Sequence, residues 1–352
     1  MSLAVAFVTH AGPGIGLGHL RRCLALARAW ARDGAAIAFV APGAGASLDR
    51  AGPELLAAGA ARVDVAEIDW TRDADAARAL GGADVAVVDS YRASPALVRS
   101  LAARAGRVVA IDDLADRPLP AHVVINGGIA AESLGYARRP DTRYLLGPRY
   151  ALIDPRFADE PMRVPRPAVR SVLVALGGAP SPDTVAAALD AVREAVPDAT
   201  VDVVAGPFGA RGGLDVAGEA TGRARADRIE VHGDVPDMRP LMRAADLAVT
   251  GAGVTLYELA ATGTPAVVVE VADNQAPNAS GFAAAGAALR AGRSGDRGLR
   301  DGIAAAVARL AGDPALRAAL AARARMLVDG RGALRAAREI AAMVPAAGRT
   351  GR

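Results

Sequence analysis

At 352 residues the chain is too long for one ordinary hydrophobic core, and with 52% hydrophobic residues it is too apolar for a disordered tail, so two domains are the default. Aromatics make up 3%, the formal net charge is +3, and the 41 basic residues are all Arg, interspersed with 38 acids; no basic block or base-stacking set marks a nucleic-acid binder. No apolar run nears the roughly 18 residues of a membrane span, and the stretch from Leu3 to Thr9 lacks the basic flank of a secretion signal, which points to a soluble cytoplasmic protein.

Short Val/Ile/Ala runs alternate with helical stretches along the first half. Leu3 to Thr9, Ala36 to Val40, Val85 to Asp89, Val108 to Asp112 and Val123 to Asn126 read as buried parallel strands. Between the first two lies a helix with Leu20, Cys23, Leu24, Ala27 and Trp30 on one face and Arg21, Arg22, Arg28 and Arg32 elsewhere. From Gly147 to Arg170 five prolines, Pro148, Pro155, Pro161, Pro165 and Pro167, break the pattern, which places an interdomain linker at 147–170 between an N-terminal Rossmann-like domain, 1–146, and a second domain, 171–330. Ser171 to Ala175, Val201 to Val204, Ile229 to Val231, Leu247 to Thr250 and Ala266 to Val271 read as strands of that second sheet. The end is helical: Asp313-Pro314 opens one helix, Gly330 to Gly332 breaks the run, and 331–352 forms a last helix and tail that would pack back on the first domain.

Several strand ends carry chemistry-bearing residues. The first loop, Gly12-Pro13-Gly14-Ile15-Gly16-Leu17-Gly18-His19, joins a strand to a helix, and such loops bring backbone N–H groups to an anion, with Gly16 and Gly18 as the candidates. The spacing departs from a dinucleotide fingerprint and no acid ends the second strand, so a nicotinamide enzyme is disfavoured. His19 at a helix N-terminus would be kept neutral by the dipole and available as a base, or would simply cap the helix. Gly251-Ala252-Gly253-Val254-Thr255-Leu256-Tyr257-Glu258 also follows a strand and opens a helix: Gly253, Val254 and Thr255 could hold a diphosphate and Glu258 a ribose, while Thr255 and Glu258 equally have the spacing of a capping box. Asn274 and Gln275, with Asp273 and Asn278, follow the next strand, where amides could read sugar hydroxyls. Asp89-Ser90-Tyr91 and Asp112-Asp113 end two strands of the first domain, as site residues or helix caps. Asp73-Ala74-Asp75 reads as a solvated helix face. One Cys and four scattered His offer no disulfide and no ligand spacing, so no metal or cofactor is expected.

Gly16-Leu17-Gly18-His19 with Arg22-Cys23-Leu24-Ala25-Leu26-Ala27, Asp89-Ser90-Tyr91, Ile111-Asp112-Asp113-Leu114-Ala115, Leu146-Gly147-Pro148-Arg149-Tyr150-Ala151-Leu152, and the motifs Gly253 to Glu258 and Asp273 to Gln275 together resemble the UDP-sugar hydrolase of pseudaminic acid biosynthesis. Its spore-coat polysaccharide glycosyltransferase-like relatives share the resemblance, as does, more distantly, the lipid II glycosyltransferase. The match runs in order from about Ala4 to about Leu289. The resemblance implies an α/β, GT-B fold of two doubly wound Rossmann-like domains facing a central cleft. It implies His19 as general base, Tyr91 and Asn274 lining the reacting sugar, and Gly253, Val254, Thr255 and Glu258 holding UDP. The implied reaction is inverting attack at the anomeric carbon with release of UDP, water being the expected attacker and a sugar acceptor the alternative; a non-catalytic UDP-sugar-binding module is the third class. Two departures leave the sugar open: Thr9-His10-Ala11-Gly12-Pro13 stands where the family has a charged Arg/Asp stretch, and Ala179-Pro180 follows Gly177-Gly178 where the family has an acid.

Overall fold

The structure, a computed structural model, describes residues 2–10, 17–42, 44–66, 82–161, 163–177, 180–204, 228–233 and 235–344. The chain divides into two units, Met1–Arg156 with Gly330–Arg352, and Phe157–Asp329. Gly16, Asp73, Asp75 and Gly178 lie outside the described residues.

In the first unit the strands are β1 (Ala4–Val8), β2 (Ala36–Val40), β3 (Arg62–Ala66), β4 (Val85–Asp89), β5 (Arg107–Ile111), β6 (Val123–Asn126) and β7 (Arg143–Leu146). They form one parallel sheet in the order β3-β2-β1-β4-β5-β6-β7. The inner strands are Val/Ile/Ala runs because both of their faces are covered, so β-branched side chains fill every position; β4 is buried from end to end. Phe7 stacks on its register partner Phe39 at 4.9 Å. The helix Gly18–Ala31 buries Leu20, Cys23, Leu24, Ala27 and Trp30, the face that its 3.6-residue periodicity predicts.

The returning helix Gly332–Ala341 completes this unit. Trp30 Nε1 donates to the Ala337 carbonyl at 3.2 Å, and Tyr150 Oη donates to Glu339 Oε1 at 2.7 Å. Gly127 lies so close to the 150–151 backbone that a Cβ there would stand 2.6 Å from Ala151 Cα.

The second unit holds β8 (Ser171–Ala175), β9 (Thr200–Val204), β10 (Ile229–His232), β11 (Leu247–Gly251), β12 (Ala266–Glu270) and β13 (Leu289–Arg293), parallel in the order β10-β9-β8-β11-β12-β13. The helices Pro182–Ala195 and Leu299–Gly312 share a core with this sheet through Val192, Leu189, Ile303 and Val307. The order 3-2-1-4-5-6 within this sheet is that of a doubly wound nucleotide-binding fold.

The proline-rich stretch expected as a linker is packed, and the two units meet within it in sequence. Tyr150, Leu152, Ile153 and Phe157 are buried, and the division between units falls at Arg156 and Phe157. Arg317 is fully buried beneath the segment and donates through Nη2 to the carbonyls of Arg166 and Pro167 at 2.6 and 3.0 Å. Asp246 Oδ2 accepts from the N–H groups of Arg170 and Ser171 at 2.8 and 3.1 Å. Proline removes the donors that a strand would need, and these side chains supply the missing partners to its carbonyls and flanking N–H groups.

Strands β3, β7 and β13 escape a search for apolar runs because each lies at a sheet edge and carries charge: Arg62 and Asp64, Arg143, Arg290 and Arg293. Charged edges are how sheets avoid further pairing.

Candidate functional site

In a doubly wound sheet the chain reverses direction between two neighbouring strands, and the loops there splay apart at the carboxyl ends to leave a crevice. In the first unit those strands are β1 and β4. His19 is the second residue of the helix after β1, and Asp89 is the last residue of β4. Thr9 Oγ1 donates to the Asp89 carbonyl at 3.2 Å, tying the two strand ends together.

His19 Nδ1 lies 2.6 Å from Asp89 Oδ1, and both side chains are buried. A carboxylate at that separation favours a proton on Nδ1, the arrangement that would leave Nε2 its lone pair. Arg22, one turn along the helix from His19, donates Nε to Asp89 Oδ2 at 2.9 Å and Nη2 to Asp89 Oδ1 at 2.8 Å. Its Nη1 donates to Asp113 Oδ1 at 2.5 Å, and Tyr91 Oη donates to Asp113 Oδ2 at 2.7 Å. The Tyr91 ring meets His19 edge-on at 4.6 Å between centroids. The contacts therefore close a ring: His19, Asp89, Arg22, Asp113, Tyr91 and back to His19.

The charges in the ring hold one another. Burial works against the Arg22 cation, yet Asp113 and Asp89 raise its pKa well above the ordinary value. Burial likewise opposes ionisation of Asp113, but Arg22 keeps its carboxyl below the usual range. His10, whose ring lies 4.9 Å from that of His19, has its pKa pushed down to about 4, by burial first and then by electrostatic repulsion from its neighbours His19 and Arg92.

In the second unit the corresponding neighbours are β8 and β11. The helix Val254–Thr262 follows β11 with Gly253 as N-cap and no side chain capping it. Its first N–H groups thus meet no capping side chain, the arrangement that suits an anion. Two amides staple the loop behind it. Gln275 Oε1 accepts from Ala252 N and Val271 N at 2.9 and 3.2 Å, while Asn278 Nδ2 donates to the Ala252 carbonyl at 3.0 Å and its Oδ1 accepts from Tyr257 Oη at 2.7 Å. A Cβ on Gly251, the last residue of β11, would stand 3.1 Å from the Leu176 carbonyl oxygen, a close approach that favours glycine there.

The structure places the remaining expected residues as follows. Thr255 and Glu258 do not form a capping box: Gly253 is the N-cap, and Glu258 is the fifth helical residue, buried. Gln275 is a scaffold for the glycine loop through Oε1, and Asn274 is exposed beyond β12. Gly18 opens the first helix with nothing near its Cβ position. Asp89 caps no helix, since Ser94 caps the helix Pro95–Ala102 by accepting from Leu97 N at 3.0 Å. Asp112 Oδ2 instead fixes a turn, accepting from Ala115 N at 2.8 Å and from Tyr136 Oη at 2.7 Å. Sequence reasoning passed over Arg22 as a site residue and left Asp113 open between a site residue and a helix cap. The three-residue spacing from His19 to Arg22 was visible, but the strand order that brings Asp89 and Asp113 to them was not.

Among the described residues, Asp202, Glu230 and His232 have potential ligand atoms within 4.8 Å of one another. Parallel pairing of β9 and β10 sets Glu230 opposite Asp202, which brings together residues whose sequence spacing gave no sign of a cluster. His232 Nε2 is already 2.8 Å from Asp202 Oδ1, and the group sits on the two outermost strands at one edge, separated by β8 from the helix after β11.

Residues 220–294 match the model of the glycosyltransferase family 28 C-terminal domain. The chain is 30% identical over 205 residues to the spore coat polysaccharide biosynthesis protein SpsG of Bacillus subtilis (strain 168), an alignment spanning 55% of this chain and 57% of that protein. Among solved structures it is similar to the calicheamicin glycosyltransferase CalG4, with 20% identity, full coverage of both chains and a TM-score of 0.63. It is also similar to a putative UDP-N-acetylglucosamine 2-epimerase from Listeria monocytogenes, with 13% identity, 100% and 98% coverage and a TM-score of 0.65. At such identities the likeness speaks for the fold: two parallel-sheet, Rossmann-like α/β domains of the GT-B type.

Proposed function

We propose that the protein is an inverting glycosyltransferase that takes a sugar from a nucleoside diphosphate donor, with UDP the preferred carrier. The observation that carries this reading is the His19–Asp89 pair at the carboxyl ends of β1 and β4, an oriented imidazole with Nε2 left to act as a base. In this reading His19 Nε2 removes the proton from an acceptor hydroxyl. The freed oxygen bonds to the anomeric carbon from the face opposite the leaving group, and the bond from that carbon to the diphosphate oxygen breaks with its electron pair going to the nucleotide.

The second unit would bind that nucleotide. Gly253, Val254 and Thr255 would offer N–H groups to the diphosphate at the uncapped helix end, Glu258 would accept ribose hydroxyls, and Tyr91 and Asn274 would face the sugar. The ring around His19 has a net charge of −1 when the imidazole is neutral and becomes neutral when it takes the proton, so proton uptake is balanced where it happens. No metal ion is assigned to this step, since the helix end supplies the positive potential. Full activity after exhaustive EDTA treatment is the expected result.

Support for a transferase comes also from the family 28 match and the spore coat relative; these favour it over the hydrolase that the ordered motifs first suggested. The hydrolase remains the second reading on the strength of those same motifs, and differs only in that water replaces the acceptor. A panel of UDP-sugars separates the two: nucleotide release only with an added acceptor supports transfer, free sugar at high turnover in water supports hydrolysis, and tight binding with neither leaves a binding module.

A further inference from the structure

We infer that Arg22 and Asp89 act together as a tautomer selector for His19, with Arg22 a positioning residue that turns from support to antagonist when Asp89 loses its charge. The inference rests on the reading of His19 as the base.

Arg22 Nη2 stands 2.9 Å from His19 Nδ1 as well as 2.8 Å from Asp89 Oδ1. Two neutral tautomers therefore compete. If Nδ1 holds the proton, it donates to Asp89 across 2.6 Å, and Nε2 is free to accept. If Nε2 holds it, the bare Nδ1 can accept from Arg22, but its lone pair then faces a carboxylate oxygen at 2.6 Å with no proton between them. The first arrangement gains a charge-assisted bond and the second sets two lone pairs against each other, so the first wins while Asp89 is an anion.

Arg22 is bound to that same carboxylate. Its Nε and Nη2 occupy both oxygens of Asp89, and its Nη1 is drawn to Asp113. The guanidinium is bound to both carboxylates while its Nη2 also stands beside Nδ1. A neutral amide in place of Asp89 has one acceptor oxygen. Arg22 would claim it, the amide N–H would turn toward Nδ1, and the proton would move to Nε2. The base would be lost with every heavy atom in place. Without Arg22 the amide oxygen is free to accept from Nδ1, and the useful tautomer returns.

The test is the nitrogen-proton correlation spectrum of the full chain with ¹⁵N-labelled histidine, read on the His19 ring in the parent, in Asp89→Asn and in Asp89→Asn with Arg22→Gln. The expected signatures are Nδ1–H, Nε2–H and Nδ1–H in turn. With the donor found by the sugar panel, kcat is expected to fall about 10²- to 10⁴-fold in Asp89→Asn and to recover roughly tenfold in the double variant, at unchanged KM for the donor. A purely structural Arg22 would make the double variant worse than the single one. Should Arg22→Gln fail to fold, Arg22→Lys keeps a cation beside Asp113 without the planar fork and carries the same expectation. An Nε2–H parent, an Nδ1–H single variant or an Nε2–H double variant each overturns the selector. The spectra need no substrate, so a protein that turns over no nucleotide sugar would sink the functional reading and leave the selector to be judged by itself.

Discussion

Nδ1 of His19 lies 2.6 Å from Oδ1 of Asp89, although 70 positions separate the two residues. The separation closes because β1 and β4 are neighbours in the sheet, with Val8 opposite Val88, so the residue that ends β4 stands beside the helix that follows β1. Asp89 is thus fixed by the end of a buried strand and His19 by the first turn of a helix.

Replacing His19 with Ala is expected to lower kcat about 10²- to 10⁴-fold, the usual worth of a positioned base. Nucleotide affinity should hold within about twofold, because the proposed nucleotide contacts belong to the other unit. Kinetics on the donor and acceptor pair, together with calorimetry using UDP alone, measure both quantities. Near-parental turnover would remove His19 from the mechanism.

His10 predicts a particular acid sensitivity. Its pKa falls from 6.5 to about 4 on folding, so the unfolded chain binds this proton more readily than the folded one. For a group with a depressed folded pKa, stability is fully present above the unfolded value and is lost as pH falls from about 6.5 toward 4. Urea denaturation at several pH values should show the His10→Gln variant with a flatter profile between pH 6.5 and 4. An unchanged slope would mean that His10 is protonated in the folded protein.

How much of this was legible beforehand depended on where the signal lay. Buried parallel strands announce themselves as apolar runs, and β2, β4, β6 and β8 have the bounds that their Val/Ile/Ala content gives. The edge strands β3 and β13 do not, because Arg62, Asp64, Arg290 and Arg293 interrupt the run. The same division holds at the site. His19 and Tyr91 were visible as residue types at strand ends, whereas the ion pairs from Arg22 to Asp89 and Asp113 depend on strand order, which no local pattern encodes. Glu258 was read with a cap partner at Thr255, but the helix is capped two residues earlier, at Gly253.

Gly127→Ala should destabilise the first unit through a contact that has nothing to do with chemistry. A Cβ at that position would stand 2.6 Å from Ala151 Cα and 2.8 Å from the Tyr150 carbonyl oxygen, and backbone atoms cannot turn aside as a side chain can. Overpacking of this kind costs about 1–3 kcal/mol. The 150–151 segment also receives the start of the returning helix, since Gly332 approaches the same Ala151 backbone. Thermal melting should therefore show a lower Tm and earlier proteolysis at the C-terminal helix. A variant that melts with the parent would show that the segment yields.

Glu258→Gln separates a ribose contact from a structural role. The side chain is buried on the fifth residue of the helix Val254–Thr262, so the isosteric amide keeps its volume and removes only the charge. Hydrogen bonds to a charged acceptor contribute about 1.5–3 kcal/mol each. Weakening two of them should raise the dissociation constant for UDP roughly 10- to 100-fold, at about 1.4 kcal/mol per factor of ten. Those bonds are made alike in the ground and transition states, so KM for the donor should rise while kcat at saturating donor stays within about threefold. A carboxylate that serves only the fold predicts the opposite pattern, a shifted Tm with UDP affinity unchanged. Because Gly253 and not Thr255 begins the helix, lost capping cannot produce that shift, and a structural outcome would point to the burial of Glu258 itself. Calorimetric titration with UDP and a melting curve on the same variant decide between the two, and an unchanged dissociation constant would remove Glu258 from the proposed nucleotide site.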